Sequence, residues 1–205
     1  MKRSVLNVGG NSKAIAIPPY YGEFEHLLLD IDPRGKPDVV CDARELSTLE
    51  AGRFDAIYCS HNLEHYFPHD VPRVLAGFRH VLKPDGFAEI RVPDLDDVIK
   101  TYVAKNLDID DVLYQSGMGP ILVRDVFYGY HKEIQSSGQD FFAHKTGFTH
   151  KSLTKALIGA GFQYVMRRPG RGFEILCYGF KQKPTEFQQE LLKFDFDKVS
   201  QRQMN

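Results

Sequence analysis

The chain has almost no excess charge: 26 basic against 27 acidic side chains leave a formal net of −1 over 205 residues. A basic face for RNA or DNA is therefore not expected, and nucleic acid is not the expected partner. No apolar run reaches the length of a membrane span, so a membrane is not expected as a partner either. Cysteine is scarce. Cys41, Cys59 and Cys177 lie far apart inside apolar runs, in neither disulfide nor zinc spacing, and free buried thiols are expected. Met1-Lys-Arg-Ser leads straight into an apolar, strand-like run without a leader pattern, so a cytoplasmic location is expected. There is no internal repeat.

What is present suffices for one buried core, at 42% hydrophobic residues. The first half alternates strand-like and helix-like segments, which predicts parallel β/α units. Val5–Val8, His26–Ile31, Asp38–Cys41 and Phe54–Cys59 read as strands. Each stops at small, polar or acidic residues: Gly9-Gly10-Asn11-Ser12, Asp32-Pro33, Asp42, and Ser60-His61-Asn62. Chemistry is thus concentrated at strand carboxyl ends, where open α/β sheets bind ligands. Val71, Val74, Leu75, Phe78, Val81 and Leu82 recur at helical spacing, with Asp70 placed to cap the helix and Pro72 tolerated in its first turn. Lys83-Pro84-Asp85-Gly86 turns the chain into a fifth strand, Phe87–Val92, and Asp94 is placed to cap the next helix.

Residues of about 107–150 lose this regularity and are rich in Tyr, Phe, Gly and His; they are read as an inserted lid or acceptor-binding segment, with an ordinary irregular connection as the plainer alternative. A helix capped by Thr149 and stopped by Gly161 follows. Phe162–Arg167 and Phe173–Phe180 flank Pro169-Gly170-Arg171-Gly172, which predicts an antiparallel strand pair. One domain is expected over 1–183, and a polar C-terminal tail over 184–205, anchored by Phe187, Leu191, Leu192 and Phe194.

Five segments together carry a family resemblance: Leu6-Asn-Val-Gly-Gly-Asn-Ser12, Leu28-Leu-Asp-Ile-Asp-Pro33, Val40-Cys-Asp-Ala-Arg-Glu-Leu46, Phe54-Asp-Ala-Ile-Tyr-Cys-Ser-His-Asn-Leu-Glu-His65 and Leu82-Lys-Pro-Asp-Gly-Phe87. In this order and spacing the chain resembles the class I S-adenosylmethionine-dependent methyltransferases over about residues 4–181, the insert apart. The wording is similar to a small subgroup of predicted methyltransferases linked to cell-surface or polysaccharide metabolism, so a sugar-related acceptor is among those implied. The resemblance implies an α/β fold: a Rossmann-like, seven-stranded, mostly parallel sheet with helices on both faces. Its antiparallel terminal strand is expected between the fifth and sixth.

It also implies a cofactor, S-adenosylmethionine, and a site. Gly9, Gly10 and Asn11 would let backbone approach the cofactor, which carries no phosphate and needs no three-glycine turn. Asp30 matches the acceptor for the ribose diol, with Ile31 beside it. Asp32 competes for that role, or simply starts the Pro33 turn. Asp42 matches the adenine-amino acceptor and Ala43 the backbone contact to the ring; a strand-ending Asp bonded to local backbone is the plainer alternative. Ser60, His61 and Asn62 would face the methionyl end and the acceptor, or form a helix-entry turn. Asn7 stands where the family has an acidic residue, which weakens recognition of the cofactor's ammonium. Pro18-Pro19 also excludes a long helix directly after the glycine turn.

His61 is the first candidate for a general base, followed by His131 and His144; Tyr128, His131 and His144 are the candidate acceptor-binding residues, with Tyr130 beside Tyr128 as a further pocket-lining candidate, or both tyrosines simply core aromatics. The expected partner is a small molecule, with homodimerisation open. No metal is expected. One motif points elsewhere: His61-Asn-Leu-Glu64-His65 fits the H-x-x-E-H of inverted zinc peptidases. A strand directly before it and the absence of a recognisable third ligand weigh against that reading. A nicotinamide dehydrogenase lacks its third glycine here, and a protein that binds S-adenosylmethionine without catalysis, or that uses its aminopropyl group, is the remaining alternative.

Overall fold

The computed structural model describes residues 2–117 and 119–196. Its sheet is built from β1 (Ser4–Val8), β2 (Glu25–Asp30), β3 (Val39–Val40), β4 (Phe54–Ser60), β5 (Leu82–Pro93), β8 (Tyr164–Pro169) and β9 (Glu174–Phe180). The spatial order is β3-β2-β1-β4-β5-β9-β8. The first five strands run parallel, and β9 is inserted antiparallel between β5 and β8. This is the topology the resemblance implied, including the place of the antiparallel strand.

Alternation along the strands sorts the core into two layers. Leu6, Val8, Ile57, Cys59, Ala88, Ile90, Ile175 and Cys177 belong to one cluster, closed by Val74, Leu75, Phe78 and Val81 of α1 (Val71–Val81) and Leu153 and Leu157 of α5 (His150–Gly159). Val5, Ala56, Phe87, Tyr178 and Phe180 face the opposite way, against Tyr21, Phe24 and Leu192. Helices do cover both faces, but unequally. Where the family would place a first helix, Pro18-Pro19 leaves a single 3-10 turn at Pro19–Tyr21. The tail supplies the rest of that layer. Its helix α6 (Glu186–Leu191), capped by Thr185, is tied to the body by a hydrogen bond from Gln188 Nε2 to the Asp85 carbonyl (2.5 Å) and by the Arg3 guanidinium over the Phe187 ring (3.6 Å).

The insert has more structure than its composition suggested. After α2 (Leu95–Ala104) come a two-stranded hairpin, β6 (Val112–Ser116) with β7 (Gly119–Leu122), and two short helices, α3 (Val123–Tyr128) and α4 (His131–Ser137). Val98, Leu113, Val123 and Val126 give it a small core of its own. Asp94 caps α2 through the Asp96 and Asp97 amides, and Thr149 caps α5 through Ser152, as expected. Asp70 sits at the start of α1 but makes no cap hydrogen bond; its carboxylate is drawn to Arg44 instead, 3.3 Å away. The three cysteines are free, with Cys59 and Cys177 buried. Among the described residues no helix is long and apolar enough to cross a membrane.

Candidate functional site

A cavity of about 260 Å³ opens over the carboxyl ends of β1 to β4. Of the residues singled out in the sequence, Gly9, Asn11, Asp30, Ile31, Asp32, Asp42, His61 and Asn62 line it. The glycine turn is held tightly. Gly9 has a φ of +72°, and a Cβ there would stand 2.1 Å from Asn62 Nδ2. The chain must therefore be glycine both for its backbone angle and for the close approach.

The three acidic residues are not equivalent. Asp30 accepts the Asn11 amide at 2.8 Å and the Asp32 amide at 2.9 Å, one on each oxygen, which leaves a lone pair on each for a diol. Asp32 caps the Pro33–Gly35 turn and is held by the Arg34 guanidinium at 2.5–2.9 Å. Asp42 does the same for the Ala43–Thr48 segment, with Arg44 Nη2 2.6 Å from its carboxylate. Burial opposes ionisation of Asp42, but the Arg44 side chain and amide hold its carboxyl below the usual range.

Asn7, Gly10, Ala43 and Ser60 do not line the cavity. Asn7 lies beneath the turn: a Cβ on Gly10 would meet its Nδ2 at 2.2 Å, and that amide reaches His26 Nε2 at 3.3 Å. Asn7 Oδ1 and Asn62 Oδ1 are buried acceptors without a hydrogen-bond partner. Two orphaned acceptors beside the glycine turn suit a donor-rich group such as an ammonium. Ala43 is buried, with its backbone bonded to the Tyr66 hydroxyl, and Ser60 interacts with Tyr58 on the far face of the sheet.

His61 follows β4 with a φ of +50°, and its half-exposed ring lies between two carboxylates. Nε2 is 3.3 Å from Glu174 and Nδ1 is 3.5 Å from Glu64. Burial disfavours the imidazolium, but Glu174 and Glu64 outweigh it and raise the ring's pKa to about 10. A ring so held is a donor at neutral pH. It becomes a base only once a carboxylate partner is displaced. Glu174 is in turn bonded to Arg91 (3.1 Å), and Arg91 to the fully buried Glu89 (2.8 Å). The Tyr20 and Tyr21 hydroxyls donate to Glu89 at 2.6 and 2.9 Å. Glu89, Arg91 and Glu174 were not singled out in the sequence, although charged residues at alternate positions of apolar strands were a usable signal.

A second chamber, of about 300 Å³, lies under the insert, lined by His61, Tyr114, Ser116, Asp125, Tyr130, His144 and Phe173 among others. His61 borders both chambers. Of the residues singled out for the acceptor, Tyr130 and His144 line the second chamber, and Tyr128 and His131 do not. Tyr128 is 66% exposed and borders a smaller pocket on the other side of His144. His131 Nδ1 binds the buried Asp125 carboxylate at 2.5 Å and serves to hold the insert together.

The H-x-x-E-H segment does not form the helix that an inverted zinc peptidase requires. Leu63–His65 is one 3-10 turn, and the left-handed backbone of His61 breaks the run before it. His61 and His65 therefore do not share a helical face. Glu64 is 1% exposed and borders the smaller pocket beside His144.

Residues 24–90 match the family model described as "Methyltransferase domain". No curated protein matches the chain significantly. Among solved structures, the chain resembles a SAM-dependent methyltransferase from Archaeoglobus fulgidus at 16% identity and a TM-score of 0.54, covering 88% of this chain and 86% of that one. A protein from Pyrococcus horikoshii is 18% identical, with a TM-score of 0.54 over 89% of this chain and 83% of its own. An O-methyltransferase family protein from Burkholderia thailandensis is 13% identical, with a TM-score of 0.54, over 88% of this chain and 51% of that one. At these identities the structural likeness concerns the fold.

Proposed function

We propose that the chain, which matches a methyltransferase-domain model over residues 24–90 and shares its fold with S-adenosylmethionine-dependent methyltransferases, is itself a class I enzyme of that kind and moves a methyl group from S-adenosylmethionine to a small-molecule acceptor held under the insert. One observation carries the reading: the strand-tip cavity with Gly9, Asp30 and Asp42 meets the chamber of the insert at a single residue, His61. A donor and an acceptor placed in the two chambers would approach each other there.

When bound, the cofactor supplies an activated methyl group on a sulfonium with a neutral thioether as leaving group. The protein's part is to bind and orient. Asp30 offers its two remaining lone pairs to the ribose hydroxyls, and Asp42 accepts from the adenine amino group. Asn62, which lines the cavity, offers its unpartnered Oδ1 to the ammonium. Asp32 is committed to Arg34, so Asp30 is the ribose residue of choice. Tyr114, Tyr130 and Phe173 give the acceptor chamber aromatic walls that keep water from the donor. In-line placement of nucleophile and methyl carbon supplies about 7–11 kcal/mol, so no elaborate catalytic constellation is required. His61 orients the acceptor as a donor; acceptor binding that separates it from Glu174 lowers its proton affinity, the ring releases a proton to solvent, and the freed Nε2 then accepts the proton of the acceptor hydroxyl. A cytoplasmic setting and a hydroxylated, sugar-like acceptor complete the proposal.

Calorimetric titration with S-adenosylhomocysteine and NAD, side by side, tests it. Micromolar binding of the first alone, about −8 kcal/mol, is the expected result. Binding of NAD instead would overturn it, and S-adenosylhomocysteine binding without turnover across a screen of sugars and small hydroxylated metabolites would leave only a binding protein.

A further inference from the structure

Glu64 is nearly fully buried, and neither of its carboxylate oxygens has a hydrogen-bond partner. An ionised carboxylate in that position needs a compensating positive charge. Lys145 follows His144 in the chain, but its ammonium lies over the Phe67 ring, 5.6 Å from the centroid. The His61 ring stands 3.5 Å from Oε1 and is shared with Glu174.

Two further imidazoles face this carboxylate. The ligand atoms of Glu64, His65 and His144 all lie within 4.8 Å of one another, and His144 Nε2 is 3.9 Å from Glu64 Oε1. Both rings are oriented by backbone. His65 Nδ1 donates to the Ala143 carbonyl at 3.1 Å, and His144 Nδ1 donates to the Val126 carbonyl at 2.8 Å. With Nδ1 carrying the proton, Nε2 of each ring bears a lone pair. A neutral Nε2 gives the Glu64 carboxylate no donor, and its charged neighbour, His61, is shared with Glu174. A cation between the rings and the carboxylate supplies the missing charge, and an Nδ1–H bonded to a carbonyl is the usual support of a metal-bound histidine.

We propose that Glu64, His65 and His144 bind a divalent transition-metal cation of the zinc, cobalt or manganese class where the two chambers meet. Two neutral imidazoles and one carboxylate suit such borderline cations better than magnesium or calcium, which prefer oxygen ligands. A tetrahedron with bonds of about 2.1 Å has edges of about 3.4 Å. Small side-chain rotations bring the three groups to that spacing. Three protein ligands leave a position open, and His144 borders the acceptor chamber. If the methyltransferase reading holds, an acceptor oxygen is what this position takes, which places hydroxyl-bearing acceptors above amines. The cation departs from the expectation of a metal-free site. It also revives no peptidase, because that chemistry needs both motif histidines on the metal and the glutamate free as a base, whereas here Glu64 is a ligand and His61 is not.

The test uses the full chain after treatment with a chelator, titrated with Co²⁺ and followed by visible absorption and calorimetry, with S-adenosylhomocysteine titrated in parallel. The proposal expects one Co²⁺ per chain with the ligand-field bands of a four- or five-coordinate site, displaced by Zn²⁺. Glu64→Gln keeps the side chain's shape and is expected to weaken Co²⁺ binding at least tenfold, as is His144→Ala. His80→Ala on α1, whose ring binds the Leu49 carbonyl, is expected to change nothing. Absence of the bands in the wild type, or equal Co²⁺ affinity in wild type and both folded cluster variants, would overturn the site. S-adenosylhomocysteine binding without Co²⁺ binding removes the metal and leaves the methyltransferase; the converse result does the reverse.

Discussion

His61 Nε2 and Glu174 Oε2 are 3.3 Å apart although 113 residues separate them in the chain. The contact joins the tip of β4 to the start of β9, and so ties the wall between the two chambers to the antiparallel strand. Its pH behaviour is predictable. The folded-state pKa of His61 is raised to about 10 by Glu174 and Glu64, so the stabilisation is complete below the unfolded value of about 6.5. It is lost as the pH rises through about 10. On the acid side, burial opposes ionisation of Glu174, but His61 and Arg91 hold its carboxyl below its usual range. That part is lost as the pH falls through the depressed value. The difference in melting temperature between wild type and Glu174→Gln should therefore be largest near pH 6 and shrink toward pH 10. A difference that grows from pH 6 to 10 would contradict the charged pair.

Asp30→Ala should weaken S-adenosylhomocysteine binding by one to two orders of magnitude. Hydrogen bonds to a charged acceptor contribute about 1.5–3 kcal/mol each. Asp32→Ala should cost less, because Asp32 serves Arg34 and its own turn. Calorimetry on both variants decides between them, and equal losses would remove the distinction.

Gly9→Ala combines a left-handed backbone with a Cβ 2.1 Å from Asn62 Nδ2. The backbone alone costs about 1–2 kcal/mol. Displacement of Asn62 from the cavity wall should add a loss of cofactor affinity. Gly52 also has a positive φ, +66°, but nothing lies within 4 Å of its would-be Cβ. Gly52→Ala should thus lower the melting temperature without touching affinity, which separates strain from steric conflict.

Glu89 is the hub of a buried network, accepting from Tyr20, Tyr21 and Arg91. Glu89→Ala should destabilise the fold by about 3–5 kcal/mol, because it removes the buried partner of Arg91, which keeps only Glu174, and takes the acceptor from the Tyr20 and Tyr21 hydroxyls. Tyr21→Phe removes one hydroxyl and should cost about 1–2 kcal/mol. Urea denaturation measures both; a cost for Glu89→Ala no larger than for Tyr21→Phe would deny it the central role.

Much of this was legible in the sequence because the information is local. Alternation in Phe54–Ser60 and helical spacing from Val71 to Val81 follow from which face each residue must bury, and Pro18-Pro19 forbids a helix wherever it falls. Gly9, Asp30 and Asp42 declared themselves for the same reason, since each ends a strand and parallel strands end along one edge. Tertiary structure decided what depended on partners distant in the chain. Asp70 gives up its expected cap for Arg44, and Tyr130, not Tyr128, reaches the acceptor chamber because α3 ends where it does. Glu64 is buried against His144 because the residues that close the insert, Lys145 and Thr146, bond to its carbonyl. Local pattern fixes which way a side chain faces. Only the folded chain determines which charge it meets there.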